Sequence, residues 1–198
     1  MAIALLTLCA VSTLVGMRAL ITFNQTPGAV GANPARWPAS SSVRRVNGRP
    51  EILVFAHPFC SCTDATMAEL AQLSTRRKAG AAAPAITVLF FRPRNSGWAP
   101  NSLWNEAQNL EGAHVAWDDD GREAKRFGAR TSGYTLLYSA EGNLLFGGGV
   151  TASRGHQGDN YGLDELAASL NSGQPTHATS RVFGCALGTS DEVNGAAL

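Results

Sequence analysis

The longest apolar stretch of the chain comes first. Met1 to Met17 carries no charged side chain, and after Arg18 the apolar character resumes through Ala19 to Phe23. A helix rises about 1.5 Å per residue, so roughly 20 such residues cross a hydrocarbon core about 30 Å thick, with Arg18 snorkelling to the far interface. Residues 1–23 therefore predict a transmembrane anchor. A cleaved signal peptide is the competing reading, because Val30-Gly31-Ala32 offers small residues to a peptidase. The anchor is preferred because those residues are far from the apolar core and no basic residue precedes it. From 24 to 48 the composition shifts to Pro, Gly, Ala, Ser and Arg without an aliphatic period, which predicts a flexible tether.

Regular patterning begins near Arg49. Ile52 to Ala56 is a short, wholly apolar run that predicts a central strand buried on both faces. Thr63 and Asp64 can cap the helix that follows, whose stripe of Met67, Leu70, Ala71 and Leu73 stops near Gly80. Ile86 to Phe91 is a second strand, ended by Arg92-Pro93. Pro100 to Leu110 reads as a helix, His114 to Trp117 as a short strand, and Gly121 to Phe127 as a helix closed by Gly128. Tyr134 to Ser139 and Asn143 to Phe146 flank Ala-Glu-Gly-Asn, a hairpin signal, and Leu163 to Leu170 is a last helix between glycines. Strands alternating with helices, then a hairpin, imply an α/β fold with a mixed sheet flanked by helices. The tail from Gln174 has little periodicity, but its Val182-Phe183 pair can dock onto the domain.

Composition narrows the function. A chain of 198 residues builds one ordinary domain with additions at its ends. Sixteen Lys and Arg against 15 Asp and Glu leave no electrostatic footprint for nucleic acid, and Arg76-Arg77-Lys78 reads as a solvated helix end. The cysteines, Cys9, Cys60, Cys62 and Cys185, are too few for a disulfide-stapled miniature fold or a zinc ribbon. Leu8 is too large to precede a lipidated cysteine, so Cys9 reads as a packing or lipid-facing residue.

The chemistry concentrates at His57-Pro58-Phe59-Cys60-Ser61-Cys62, between the first strand and the first helix. Unpaired N–H groups and the dipole at a helix start favour a thiolate, the reactive form of cysteine. A disulfide between two cysteines one residue apart closes a small, strained ring that is easily reduced. Cys60, nearest the strand end and expected to be the more exposed, is assigned as nucleophile and Cys62 as its resolving thiol. Cys185 is a third thiol that can relay a disulfide if the tail folds back, or an idle one. His57 lowers the thiol pKa, or binds metal, or merely caps the strand end beside Pro58. The same sulfurs as soft ligands, with His57, Cys185 or His177 completing the shell, would suit copper(I) or zinc. The loop Thr151 to Tyr161, with Arg154, His156 and Asp159 behind Gly147-Gly148-Gly149, reads as an exposed glycine-rich loop that can border the thiol site. Asp118 to Asp120 reads as a turn and helix cap rather than a calcium loop. Trp98, Trp104 and Trp117 read as core and rim packing.

The element order, with cysteines at the first strand-to-helix junction, resembles the thioredoxin fold over roughly residues 49 to 171. Phe55-Ala56-His57-Pro58-Phe59-Cys60 looks like the active-site passage of that fold. Phe127-Gly128-Ala129-Arg130, Thr135-Leu136-Leu137-Tyr138 and Glu141-Gly142-Asn143 look like its later helix end, strand and hairpin turn. Within the superfamily the anchor, the Cys-x-Cys stretch, the glycine-rich loop and the Phe-Gly-Cys tail look most like membrane-anchored RedB-type thioredoxin-like proteins. The resemblance implies a thioredoxin-like domain over 49–173 and a tail over 174–198. It implies exchange with a protein thiol or disulfide partner, with the domain on the periplasmic side of the inner membrane. It requires no cofactor. Two departures matter: the family's Cys-x-x-Cys is one residue shorter here, and its cis-proline is replaced by Tyr134, for which a trans bond is expected. Loss of that proline favours the metal alternative. A non-enzymatic interaction module with incidental thiols is a third reading.

Overall fold

The computed structural model describes residues 1–29, 31–80, 82–175 and 179–188. The first helix, α1 (Ala2–Gln25), has no buried residue, and its exposed Leu, Ile and Val side chains give an 18-residue window a mean hydropathy of 1.9. It is long and apolar enough to cross a membrane. Then follow β1 (Glu51–Ala56), α2 (Ser61–Ala71), the single turn α3 (Leu73–Arg76), β2 (Ala85–Arg92), α4 (Ser102–Gln108), β3 (Ala113–Asp119), α5 (Arg122–Phe127), β4 (Tyr134–Tyr138), β5 (Leu144–Gly148) and α6 (Tyr161–Ser172). The first helix of the domain thus breaks at Gln72 and ends at Arg76, short of Gly80.

The five strands form one sheet in the order β3-β2-β1-β4-β5. β1 is central and wholly buried, parallel to β2 and antiparallel to β4, which explains its unbroken apolar run. One face carries Ile52, Val54, Val88, Phe90 and Leu137 against Met67 and Leu70 of α2 and Leu163 and Leu166 of α6. On that side Trp104 and Trp117 lie 4.6 Å apart beside Phe90. The other face carries Leu53, Phe55, Leu89, Leu136 and Tyr138 but has only the six-residue α5 for cover.

Chain segments outside the regular elements complete that second face. The stretch expected to be a flexible tether packs against the domain instead. Trp37 meets Phe127 at 4.9 Å and Tyr138 at 5.1 Å, both edge-on, and the Ala32 N–H donates to the Gly128 carbonyl at 3.2 Å. Ser41 and Ser42 donate to the Glu123 carboxylate at 2.7 to 3.0 Å. Glycines that signalled flexibility here serve close approach: a Cβ at Gly28 or Gly31 would overlap Thr131 or Tyr134. The tail docks likewise through buried Val182 and Phe183.

Local chemistry sets the helix ends. Asp118 accepts from the N–H groups of Glu123 and Ala124 at 2.8 and 2.9 Å, fulfilling the helix-cap reading of the acidic run. Gly128, in the left-handed region at φ 70°, closes α5. No cis peptide bond occurs among the described residues, so Tyr134 follows a trans bond as expected.

Candidate functional site

The site lies where β1 runs into α2. Cys60 occupies the N-cap position of α2 and Cys62 its first turn. The turn between strand and helix is held at every step. The Cys60 N–H donates to the His57 carbonyl at 3.2 Å, and the Thr63 N–H to the Cys60 carbonyl at 2.9 Å. Thr63 was expected to cap the helix; its hydroxyl instead donates back to the His57 carbonyl at 3.0 Å and meets the Ser132 hydroxyl at 2.8 Å. Ser132 in turn accepts the His57 N–H at 2.8 Å, and Asn101 Nδ2 donates to the Pro58 carbonyl at 2.6 Å. Thr63 and Ser132 are both fully buried. Together they bind the cysteine turn to the segment entering β4, where the Gly133 N–H reaches the Phe55 carbonyl at 2.8 Å.

That same segment holds the tail. The Ser132 N–H donates to the Cys185 carbonyl and the Leu187 N–H to the Arg130 carbonyl, each at 2.8 Å, while Thr131 and Ala186 form an antiparallel bridge. Cys185 is thereby laid over Cys60, and its N–H donates to the Cys60 sulfur at 3.4 Å. Arg154 fixes the arrangement from the glycine-rich loop. Its Nη1 donates to the Gly184 carbonyl at 2.7 Å, its Nε to the Phe23 carbonyl of α1 at 3.1 Å, and its guanidinium sits 4.8 Å from the Phe23 ring centre. The three glycines before that loop make room: a Cβ at Gly148 would overlap Ser180 and one at Gly149 would overlap Arg181. The loop therefore borders the thiol site.

Exposure differs from the sequence expectation. Cys60, expected to be the more accessible cysteine, is 1% exposed and Cys62 is 3% exposed, whereas Cys185 is exposed. The tail covers Cys60, while its chain neighbours Phe59 and Ser61 are exposed. Both buried sulfurs nevertheless lie at the start of α2, where N–H groups are free to face negative charge.

Electrostatics separates the three thiols. The Cys62 S–H donates to Cys60, and with the thiol and N–H of Cys185 it brings the Cys60 thiol down to about 4 against the opposing effect of burial. The same bond to Cys60, together with burial, pushes the Cys62 thiol far up. Burial, then the bond to Cys60, raises Cys185 to about 11, although Arg154 pulls the other way. At neutral pH the cluster is one thiolate, Cys60, held by two thiols. That matches a nucleophile or a good leaving group in sulfur exchange.

His57 stands beside this cluster without leading it. Its ring lies 6.0 Å from Phe91 in a stacked arrangement, with Trp98 edge-on at 5.5 Å, and its Nδ1 accepts the Phe59 N–H at 3.2 Å. Burial lowers its pKa, and the negative Cys60 only partly offsets this. Among the described residues no three His, Cys, Asp or Glu side chains are grouped so as to hold a metal ion. His177 lies outside the described residues. Cys9 sits exposed on α1. The sequence singled out Cys60, Cys62 and Cys185, and the structure brings all three together. It missed Ser132, and it read Thr63 only as a helix cap and Gly184 only as part of the Phe-Gly-Cys tail, whereas Thr63 meets Ser132 and Gly184 makes the close pass beside it.

These features describe an α/β protein of thioredoxin-like fold, with an N-terminal apolar helix and a buried cysteine pair closed by its own tail. No family model matches the chain, and no curated protein does. Solved structures do. A hypothetical protein, SMc02350 from Sinorhizobium meliloti 1021, superposes with a TM-score of 0.57 at 17% identity, covering 83% of this chain and 96% of its own. An uncharacterized conserved protein from Geobacillus kaustophilus gives 0.58 at 14% identity, covering 84% and 90%. A secreted Mycobacterium tuberculosis disulfide oxidoreductase homologous to E. coli DsbE gives 0.41 at 18%, covering 64% and 83%.

Proposed function

We propose that this chain is a membrane-tethered thiol–disulfide exchange protein of the RedB type, acting on protein thiols on the periplasmic side through Cys60 and its neighbouring cysteines. The observation that carries the reading is geometric: the Cys60 sulfur sits at the start of α2 with Cys62 in the same first turn and the Cys185 N–H donating to it at 3.4 Å, donors that favour the thiolate. A structural cysteine gains nothing from such donors, whereas an exchange sulfur gains both nucleophilicity and leaving ability. The apolar α1, directly ahead of the domain, supplies the tether, and an oxidising compartment suits the chemistry. The test is thiol trapping of the full chain in detergent micelles across graded redox potentials, with metal analysis of the same sample. A reversible two-electron couple lost in Cys60→Ser is expected. Copper or zinc retained stoichiometrically, with no such couple, would replace this reading by metal binding.

A further inference from the structure

The tail reaches the site as an extended segment added to the edge of the chain before β4. Main-chain hydrogen bonds hold it there, Ser132 N–H to Cys185 O and Leu187 N–H to Arg130 O, and the stretch after α1 adds Gly28 N–H to Val182 O, all at 2.8 Å. Adding an extended segment through main-chain bonds, with side chains pocketed beside it, is how folded proteins grip a peptide. Here the gripped peptide is part of the same chain. Val182 and Phe183 fill the pockets, at 5% and 6% exposure, and Gly184 allows the close pass, since a Cβ there would overlap the Ser132 carbonyl oxygen.

We infer that Cys185 is the sulfur that exchanges with partner thiols, and that the oxidised protein carries a Cys60–Cys185 disulfide rather than a Cys60–Cys62 one. This rests on the exchange reading above and revises which thiol resolves Cys60. An incoming sulfur must reach one sulfur of the bond it breaks. A Cys60–Cys62 bond would offer only side chains that are 1% and 3% exposed, whereas Cys185 is open to solvent. The N–H···S contact of 3.4 Å shows Cys185 and Cys60 in register across a sequence separation of 125 residues.

The step balances with a partner dithiol. A partner thiol gives up its proton and, as thiolate, attacks the Cys185 sulfur; the Cys60–Cys185 bond breaks and its electron pair leaves on Cys60, while a partner–Cys185 disulfide forms. The partner's second thiol loses its proton and attacks the partner's own first sulfur, expelling Cys185, which takes up a proton. The partner is oxidised by two electrons, the pair is reduced to Cys60 thiolate and Cys185 thiol, and one proton goes to solvent. A protein disulfide of higher potential reverses the sequence. Cys60 suits its part because a low-pKa thiol leaves faster, and Cys62 keeps its proton as a donor to the departing sulfur.

The test oxidises the reduced full chain in micelles with glutathione disulfide, then maps disulfides by mass spectrometry after non-reducing digestion. In the unaltered protein a Cys60–Cys185 linked peptide is expected, and it persists in Cys62→Ser. Cys185→Ser should lose it and react with dithiothreitol at least about tenfold more slowly in its oxidised form. A Cys60–Cys62 link in the unaltered protein, with exchange in Cys185→Ser undiminished, would overturn the inference while leaving thiol exchange standing. Absence of any reversible couple would overturn both. Mapping on the unaltered chain does not depend on any variant folding.

Discussion

Replacing Cys62 with alanine removes the S–H that most strongly holds the Cys60 thiolate in place. A hydrogen bond to a charged group contributes about 1.5–3 kcal/mol. One pKa unit corresponds to about 1.4 kcal/mol, so Cys60 should rise by about 1 to 2 units in Cys62→Ala. Burial acts in the same direction, because a sulfur only 1% exposed recruits little water to replace the lost donor. The Cys185 N–H at 3.4 Å remains, so the thiol stays below its ordinary range. The assay is the ultraviolet absorbance of thiolate in the reduced full chain in micelles, titrated against pH with Cys60→Ser as blank. Stability follows the same logic. Cys60 titrates lower when folded, at about 4, than unfolded, at about 8.5, so its thiolate contributes fully above the unfolded value. That contribution disappears as pH falls through the folded value, and Cys62→Ala narrows the window from below. A Cys60 titration unmoved by Cys62→Ala, or one already ordinary in the unaltered protein, would refute the reasoning.

Three further outcomes bear on the segments that close the fold. Trp37→Ala should cost about 2–3 kcal/mol in denaturant unfolding, since a half-buried ring against Phe127 and Tyr138 is lost; a cost under about 0.5 kcal/mol would return residues 24–48 to a loose tether. Gly184→Ala sets a Cβ against the Ser132 carbonyl and should lift the tail, raising the alkylation rate of Cys60 by about tenfold, the equivalent of roughly 1.4 kcal/mol of opening; an unchanged rate would mean the tail does not shield it. Burial raises the Glu123 carboxyl, but bonds from Ser42, Ser41 and Arg126 outweigh it and leave its pKa lowered. Its stabilising contribution is therefore present above its unfolded value and lost as pH falls through the folded one. Glu123→Gln should flatten that acid dependence and expose 38–46 to limited proteolysis.

The regular elements were legible wherever burial acts locally. Ile52 to Ala56 reads as a central strand because both its faces are covered, and the hairpin at Ala-Glu-Gly-Asn falls between β4 and β5. Asp118 was readable as a cap because its partners are only five and six residues on. What sequence reasoning missed depends on distant neighbours. Gly28 and Gly31 look the same whether glycine serves freedom or close contact, and only Thr131 and Tyr134, more than 100 residues later, decide. Cys60 looked accessible because nothing near it in sequence covers it. Its cover is Cys185, brought over by hydrogen bonds from Ser132 and Arg154, whose main-chain partners leave no mark on side-chain patterning.

Arg154 joins the last turn of α1 to the residue before Cys185, and Gly28 is already bonded to Val182 three residues after that helix ends. Where α1 is embedded in a bilayer, the domain rides on a leash with almost no length to pay out. The reactive pole is then carried at a fixed, small height above the lipid, facing the entry point of its own anchor. A partner confined to the same membrane would meet it in two dimensions at high effective concentration, while a freely diffusing one would have to slip in between protein and headgroups.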